Sequence, residues 1–173
     1  MLPIKKDTPL KVILQLAPPC NCEHCNNGCK FGSGLLAGND LKNIAKFLGI
    51  PEEEAKEKYF EEIEQFNKKL LRPKLLRQDK PYGQCIFFDE KIGCKVHDVK
   101  PLQCKATIQC KDYGEDLVKW FMLNYIIDVN DPESIRQYDV YLKTNKPIPG
   151  AELKDLVTDE KKLKKILSFE IVR

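Results

Sequence analysis

The chain has 173 residues, 42% of them hydrophobic, which suffices for one domain with its own core and is too short for two independent ones. Its 29 basic and 26 acidic side chains leave a formal charge of +3, so no broad electrostatic footprint directs it to nucleic acid or to an anionic membrane surface. Eight cysteines are more than packing needs, and they make compartment and metal chemistry the first questions.

In chain order, "LKVILQLA" (10 to 17) is a β-branched, apolar run closed by Pro18 and Pro19, and it reads as a strand that delivers the first cysteines. The run is too short, and too poor in small residues at its end, for a secretory signal, and no later segment approaches the length of a membrane span. A cytoplasmic protein is therefore expected, in a compartment where clustered thiols hold metal more often than they pair as disulfides. "CNCEHCNNGCKFGSG" (20 to 34), rich in Asn and Gly, reads as a structured loop. Asn39 caps an expected helix through Leu48, with Leu41, Ile44, Ala45 and Leu48 on one face and Gly49 at its end. Pro51 and Glu52 to Glu54 open a second helix, whose expected stripe is Ala55, Tyr59, Ile63, Phe66 and Leu70.

"RPKLLRQDKPYGQ" (72 to 84) has no clean period and reads as a connection. "CIFFDEKIGC" (85 to 94) reads as a hairpin turning at Asp89 to Lys91, which would bring Cys85 near Cys94. A bent segment through Pro101 follows. "EDLVKWFMLNYIIDV" (115 to 129) is apolar on nearly every side and reads as a buried central helix. Asp131 and Pro132 start another helix through about Thr144, and "TDEKKLKKIL" (158 to 167) is a last amphipathic one; "SFEIVR" either continues it or returns as a strand. The sum is an α+β chain, a mainly helical single domain over 1 to 173 with a small antiparallel β-hairpin or sheet beside a cysteine-rich metal site. The metal module spans 20 to 110, and helices over 115 to 173 support it.

The cysteines fall into two runs in sequence, Cys20, Cys22, Cys25 and Cys29, then Cys85, Cys94, Cys104 and Cys110, and all eight are candidate metal ligands. Half lie in a polar loop, where an apolar buried thiol has no reason to be. Cys22 and Cys25 have the spacing of a metal knuckle, whose tight turn brings two thiolates to one ion, and Gly28, Gly32 and Gly34 let the chain close around it. Cys20 and Cys22, two apart, point to opposite faces if that stretch is extended. Two tetrahedral zinc sites would use all eight thiolates, with Lys30, Lys95 and Lys105 available to offset charge; a cubane iron–sulfur cluster would use four. The spacing is not the ferredoxin run CxxCxxCxxxCP, nor the CxxxCxxC of radical enzymes that cleave adenosylmethionine. The two runs are expected to converge, because a metal clip across a long loop contributes most to folding.

The ordered set "CEHCNNGCKFGSG", "LKNIAKFLGIPEEEAKEKYF" and "GQCIFFDEKIGCKVHDVKPLQCK" resembles the zinc- or iron-chelating CxxCxxCC proteins, the YkgJ-like group. On that resemblance Cys85, Cys94 and Cys104 fall on the cysteines of the family's last block, with Lys100 and Lys105 where arginine is usual. The adjacent CysCys pair of the family's name is missing, since Cys29 follows Cys25 after three residues, and Cys20 is the candidate replacement. The family implies metal chelation. A similar module carries an iron–sulfur cluster in flagellin lysine methylases, which prefers a 4Fe-4S cluster here and leaves zinc as the alternative.

His97 is a candidate mixed ligand, although a hydrogen bond to a sulfur or a carbonyl is the simpler role; His24, inside the knuckle, is expected to point outward. Asp89, Glu90 and Asp98 read as turn and solvated groups, and "WFMLNY" (120 to 125) as core. No P-loop, dinucleotide fingerprint or Ser/His/Asp arrangement appears. Two functions remain open: a cluster protein in redox or modification chemistry on a protein or small-molecule partner, or a zinc-stabilised interaction module without catalysis.

Overall fold

The structure is a computed structural model that describes residues 3–107, 110 and 113–169. Its elements run α1 (Leu10–Leu16), α2 (Glu23–Phe31), α3 (Asp40–Leu48), α4 (Glu52–Tyr59), β1 (Phe60–Gln65), β2 (Lys68–Pro73), β3 (Leu75–Leu76), β4 (Gln84–Cys85), β5 (Phe88–Asp89) and β6 (Gly93–Cys94). A 3-10 turn at His97–Val99 leads to α5 (Leu102–Ala106), α6 (Gly114–Phe121), α7 (Pro132–Leu142), α8 (Leu153–Leu156) and α9 (Glu160–Leu167). The strands form three separate antiparallel pairs, β1 with β2, β3 with β4 and β5 with β6, so the expected α+β class with small sheets stands.

Two apolar clusters organise the chain. The larger gathers Ile13, Leu117, Trp120, Phe121, Ile135, Tyr138 and Ile166, all nearly or wholly buried, from α1, α6, α7 and α9. The smaller gathers Ile44, Ala45, Ala55, Phe60, Phe87, Phe88 and Val96 from α3, α4, the start of β1, β5 and the segments beside the short strands. Cys25 and Cys110 pack on the first cluster; Cys85, Cys29 and Cys94 belong to the second. These five cysteines therefore divide between the two clusters.

Several expectations hold. Gly49 ends α3 in the left-handed conformation at φ +70°, and its N–H returns to the carbonyls of Ala45 and Lys46. Asn39 sits at the start of α3 without a capping bond; instead Asp40 Oδ2 accepts from the N–H of Ala37 at 2.8 Å and of Leu102 at 2.6 Å. The central helix is α6, which widens into a π turn over Met122–Ile126. Asp131 caps α7 through the N–H of Glu133, and Asp159 caps α9 through the N–H groups of Lys161 and Lys162. Helix α7 ends at Leu142, two residues before Thr144. Ser168 and Phe169 leave α9 in a turn, and the rest of "SFEIVR" lies outside the described residues.

Three expectations fail for identifiable reasons. Residues 10 to 16 are helical, not a strand: Leu10, Ile13, Leu16 and Ala17 recur at helical spacing toward the larger core, and that burial outweighs the β preference of Val12 and Ile13. Residues 23 to 31 are also helical, so the cysteine stretch is loop only on either side; Cys22, Cys25 and Cys29 step by three and four, the helical period. The expected long second helix stops at Tyr59 and becomes the β1–β2 hairpin. Its two-residue turn, Phe66 at φ 50° and Asn67 at φ 61°, is the left-handed pair that suits hairpin twist. Charges cross the pair: Glu61 accepts from Arg72, which faces it, at 2.7 Å, and Lys69 reaches diagonally to Glu62 at 3.1 Å. Ile63 and Leu70, expected on one helical stripe, still meet, but as opposite residues of two strands.

The connection over 72 to 84 carries strand β3, and Leu75 pairs with Cys85. Cys94 consequently faces Phe88 in the 85 to 94 hairpin rather than Cys85. The turn itself forms as expected, with Asp89 Oδ1 accepting from the N–H groups of Lys91 and Ile92. Helix α8, closed by a reciprocal Glu152 and Asp155 capping box, had no expectation in the sequence.

Candidate metal centre

Folding sorts the eight thiols differently from their order in the chain. Cys20, Cys22, Cys25 and Cys110 bring their sulfurs within 4.8 Å of one another, and Cys20 Sγ lies 3.6 Å from Cys110 Sγ across 90 residues. This is a tight quartet. Helix α2 builds half of it, with Cys22 at the N-cap and Cys25 in the first turn, where the Cys25 N–H donates to the Cys22 sulfur. That bond, with help from the Cys20 thiol, pulls the exposed Cys22 thiol down to about 6. Hydrogen bonding to Cys20 and then Cys25 pushes Cys110 up to about 12.

Cys29, Cys85, Cys94 and Cys104 come from four different segments and line one cavity of about 350 Å³, which Cys20 and Cys25 also border. They act on one another as charges, and among the described residues no thiol–thiol hydrogen bond joins them. They form a wide quartet. Burial, reinforced by this mutual repulsion, pushes Cys85 and Cys104 up to about 12 and raises Cys29; burial alone raises Cys94. The buried Lys100 opposes the shift at Cys29 and Cys94. Backbone amides help: the N–H groups of Phe87 and Phe88 serve Cys85, that of Val96 serves Cys94, and that of Gly34 serves Cys104.

The two quartets touch. Cys25 and Cys29 stand one turn apart on α2, and the charge of Cys25 adds to the raising of Cys29. Cys20, the candidate replacement for the missing CysCys pair, stands in the tight quartet with Cys22, so the two do not serve opposite faces. His97 lines the cavity with its Nε2 3.5 Å from the Cys20 carbonyl and 3.5 Å from Lys100 Nζ, a bridging position rather than a place in the tight quartet. His24 is exposed. None of Lys30, Lys95 and Lys105 lines the cavity; Lys95 lies 4.0 Å from Asp89 instead. Lys100 is the lysine that lines the cavity, and its local sequence carries no sign of that role.

An all-thiolate donor set is soft and fits zinc or iron, alone or in a cluster. The CxxCxxCC family model, described as a "putative zinc- or iron-chelating domain", matches residues 21–123. The chain belongs to the CxxCxxCC family. Seven of the eight cysteines fall inside the matched span, and Cys20 lies one residue before it. No curated protein and no solved structure matches the chain. The CxxCxxCC match and the tight quartet together make this a metal-binding protein. Among the described residues no helix is long and apolar enough to cross a membrane.

Proposed function

We propose that the protein carries a 4Fe-4S cluster on Cys29, Cys85, Cys94 and Cys104 and uses it in redox or modification chemistry on a protein or small-molecule partner, in the cytoplasm. The observation that carries this reading is the wide quartet. Four thiols from four segments surround one cavity of about 350 Å³ with no hydrogen bond between them. A single ion draws its four thiolates into contact, whereas a cube of four irons gives each thiolate its own iron and keeps them apart. Lys100, buried beside Cys29 and Cys94, offsets the charge that four thiolates would impose on the interior. Cys29 and Cys94 are only half-buried, so a partner or an electron donor can approach the cavity, which favours chemistry over a purely structural role.

The tight quartet favours the second reading, a zinc-stabilised module that presents a surface to a partner. Anaerobic purification separates the two. Brown protein with iron and acid-labile sulfide in cluster ratio supports the cluster; colourless protein with about two zinc per chain overturns it.

A further inference from the structure

We propose that Cys20, Cys22, Cys25 and Cys110 form a separate centre for one zinc ion, beside the iron–sulfur cluster of the wide quartet. The proposal deepens the metal-binding reading above and rests on it, dividing the eight thiols between two kinds of metal. Size is the first argument. A tetrahedral zinc with bonds of about 2.3 Å spaces its sulfurs by about 3.8 Å. The tight quartet, with all four sulfurs inside 4.8 Å and one pair at 3.6 Å, is drawn to that scale and has no room for a cube of irons.

Local chemistry agrees. The Cys22 to Cys25 step is a knuckle whose second N–H already points at the first sulfur, the arrangement that fixes a thiolate on an ion. Four thiolates fill a zinc ion's coordination, leaving no position for substrate, so this centre holds the chain together and does no chemistry of its own. What it holds is the join between the first cysteine segment and Cys110, 90 residues later, just before α6. Because both Cys25 and Cys110 pack on the larger core while Cys29, Cys85 and Cys94 belong to the smaller, each core would have its own metal.

The experiment is metal analysis of the anaerobically purified full chain, with X-ray absorption at the zinc edge, repeated on the double variant Cys20→Ser and Cys110→Ser. Expected are about one zinc and about four iron per chain, and zinc bound by four sulfurs at about 2.3 Å. The double variant should lose the zinc and keep iron, sulfide and visible absorbance. Nitrogen or oxygen around the zinc, or zinc retained by the variant, would overturn the assignment. If the variant fails to fold, the absorption edge of the unaltered protein decides. Iron and sulfide without zinc would sink this proposal and leave the cluster standing; zinc on four sulfurs without iron would do the reverse.

Discussion

The backbone of Gly34 lies directly against the sulfur of Cys104. Its N–H donates to that sulfur, and a Cβ built at position 34 would overlap the sulfur and crowd the Cys104 N–H at 3.1 Å. Gly34 thus serves close approach, since its backbone is not in the left-handed region. Gly34→Ala should keep the helical circular dichroism signal while iron affinity falls roughly tenfold or more, as expected for a lost partner around a metal ligand. Wild-type iron content in the variant would show that Cys104 is not a ligand.

Lys100 lines the cavity of the wide quartet, and its removal should be felt in the potential of the proposed cluster. Reduction adds an electron, so losing a nearby cation disfavours it. Lys100→Met should shift the potential negative by on the order of tens of millivolts, and Lys100→Arg should restore most of it. Protein-film voltammetry or a dye-linked titration reads both; equal potentials for all three proteins would remove Lys100 from the site.

Asp40 joins α3 to α5 through one oxygen that accepts two backbone N–H groups. Asp40→Ala leaves both donors unpaired and should cost roughly 2–6 kcal/mol, at about 1–3 for each. Asp40→Asn retains an acceptor oxygen and should cost far less. Burial holds the wild-type carboxyl above its ordinary range, so the folded state keeps its proton to higher pH than the unfolded chain does. Stability from this group is therefore complete below the unfolded value of about 3.9 and declines as pH rises through the folded one. The stability difference between the Asp40→Asn variant and wild type, measured by urea melts from about pH 4 upward, should move in favour of the variant. A flat difference would contradict the shift.

Ile13 is wholly buried, and its helix α1 leads the chain toward Cys20. Ile13→Ala should destabilise by about 2–5 kcal/mol, seen as a lower urea midpoint. A cost below about 1 kcal/mol would mean that α1 does not anchor to the larger core.

That same residue shows what the chain's local pattern could and could not convey. Val12 and Ile13 read as β-formers, and only distant partners in the larger core favour the helical spacing, which no local window contains. The β1–β2 hairpin was hidden for a related reason: Ile63 and Leu70 are seven apart, a separation that suits two helical turns and also two strands joined by a two-residue turn. Gly49 and Asp131 were legible because a cap acts on its immediate neighbours. At the metal centre the residue types were plain in the sequence and the partition was not. Sequence order places Cys29 with Cys25 and Cys110 with Cys104, while the fold exchanges them.

The exchange has a consequence for how the protein matures. The first cysteine segment leaves the ribosome long before its partners exist, and Cys110 is made 90 residues after Cys20. At about 5–20 residues per second, the earliest thiols wait roughly 5 to 20 seconds for the last cysteine of their quartet. On the proposed assignment, interleaving would make both centres wait, since Cys104 completes one quartet and Cys110 the other within six residues. Metal loading would then be a late event that sees nearly the whole metal-binding module at once. A nascent chain stopped before Cys104 would carry six of the eight thiols, three for each centre, and could close neither.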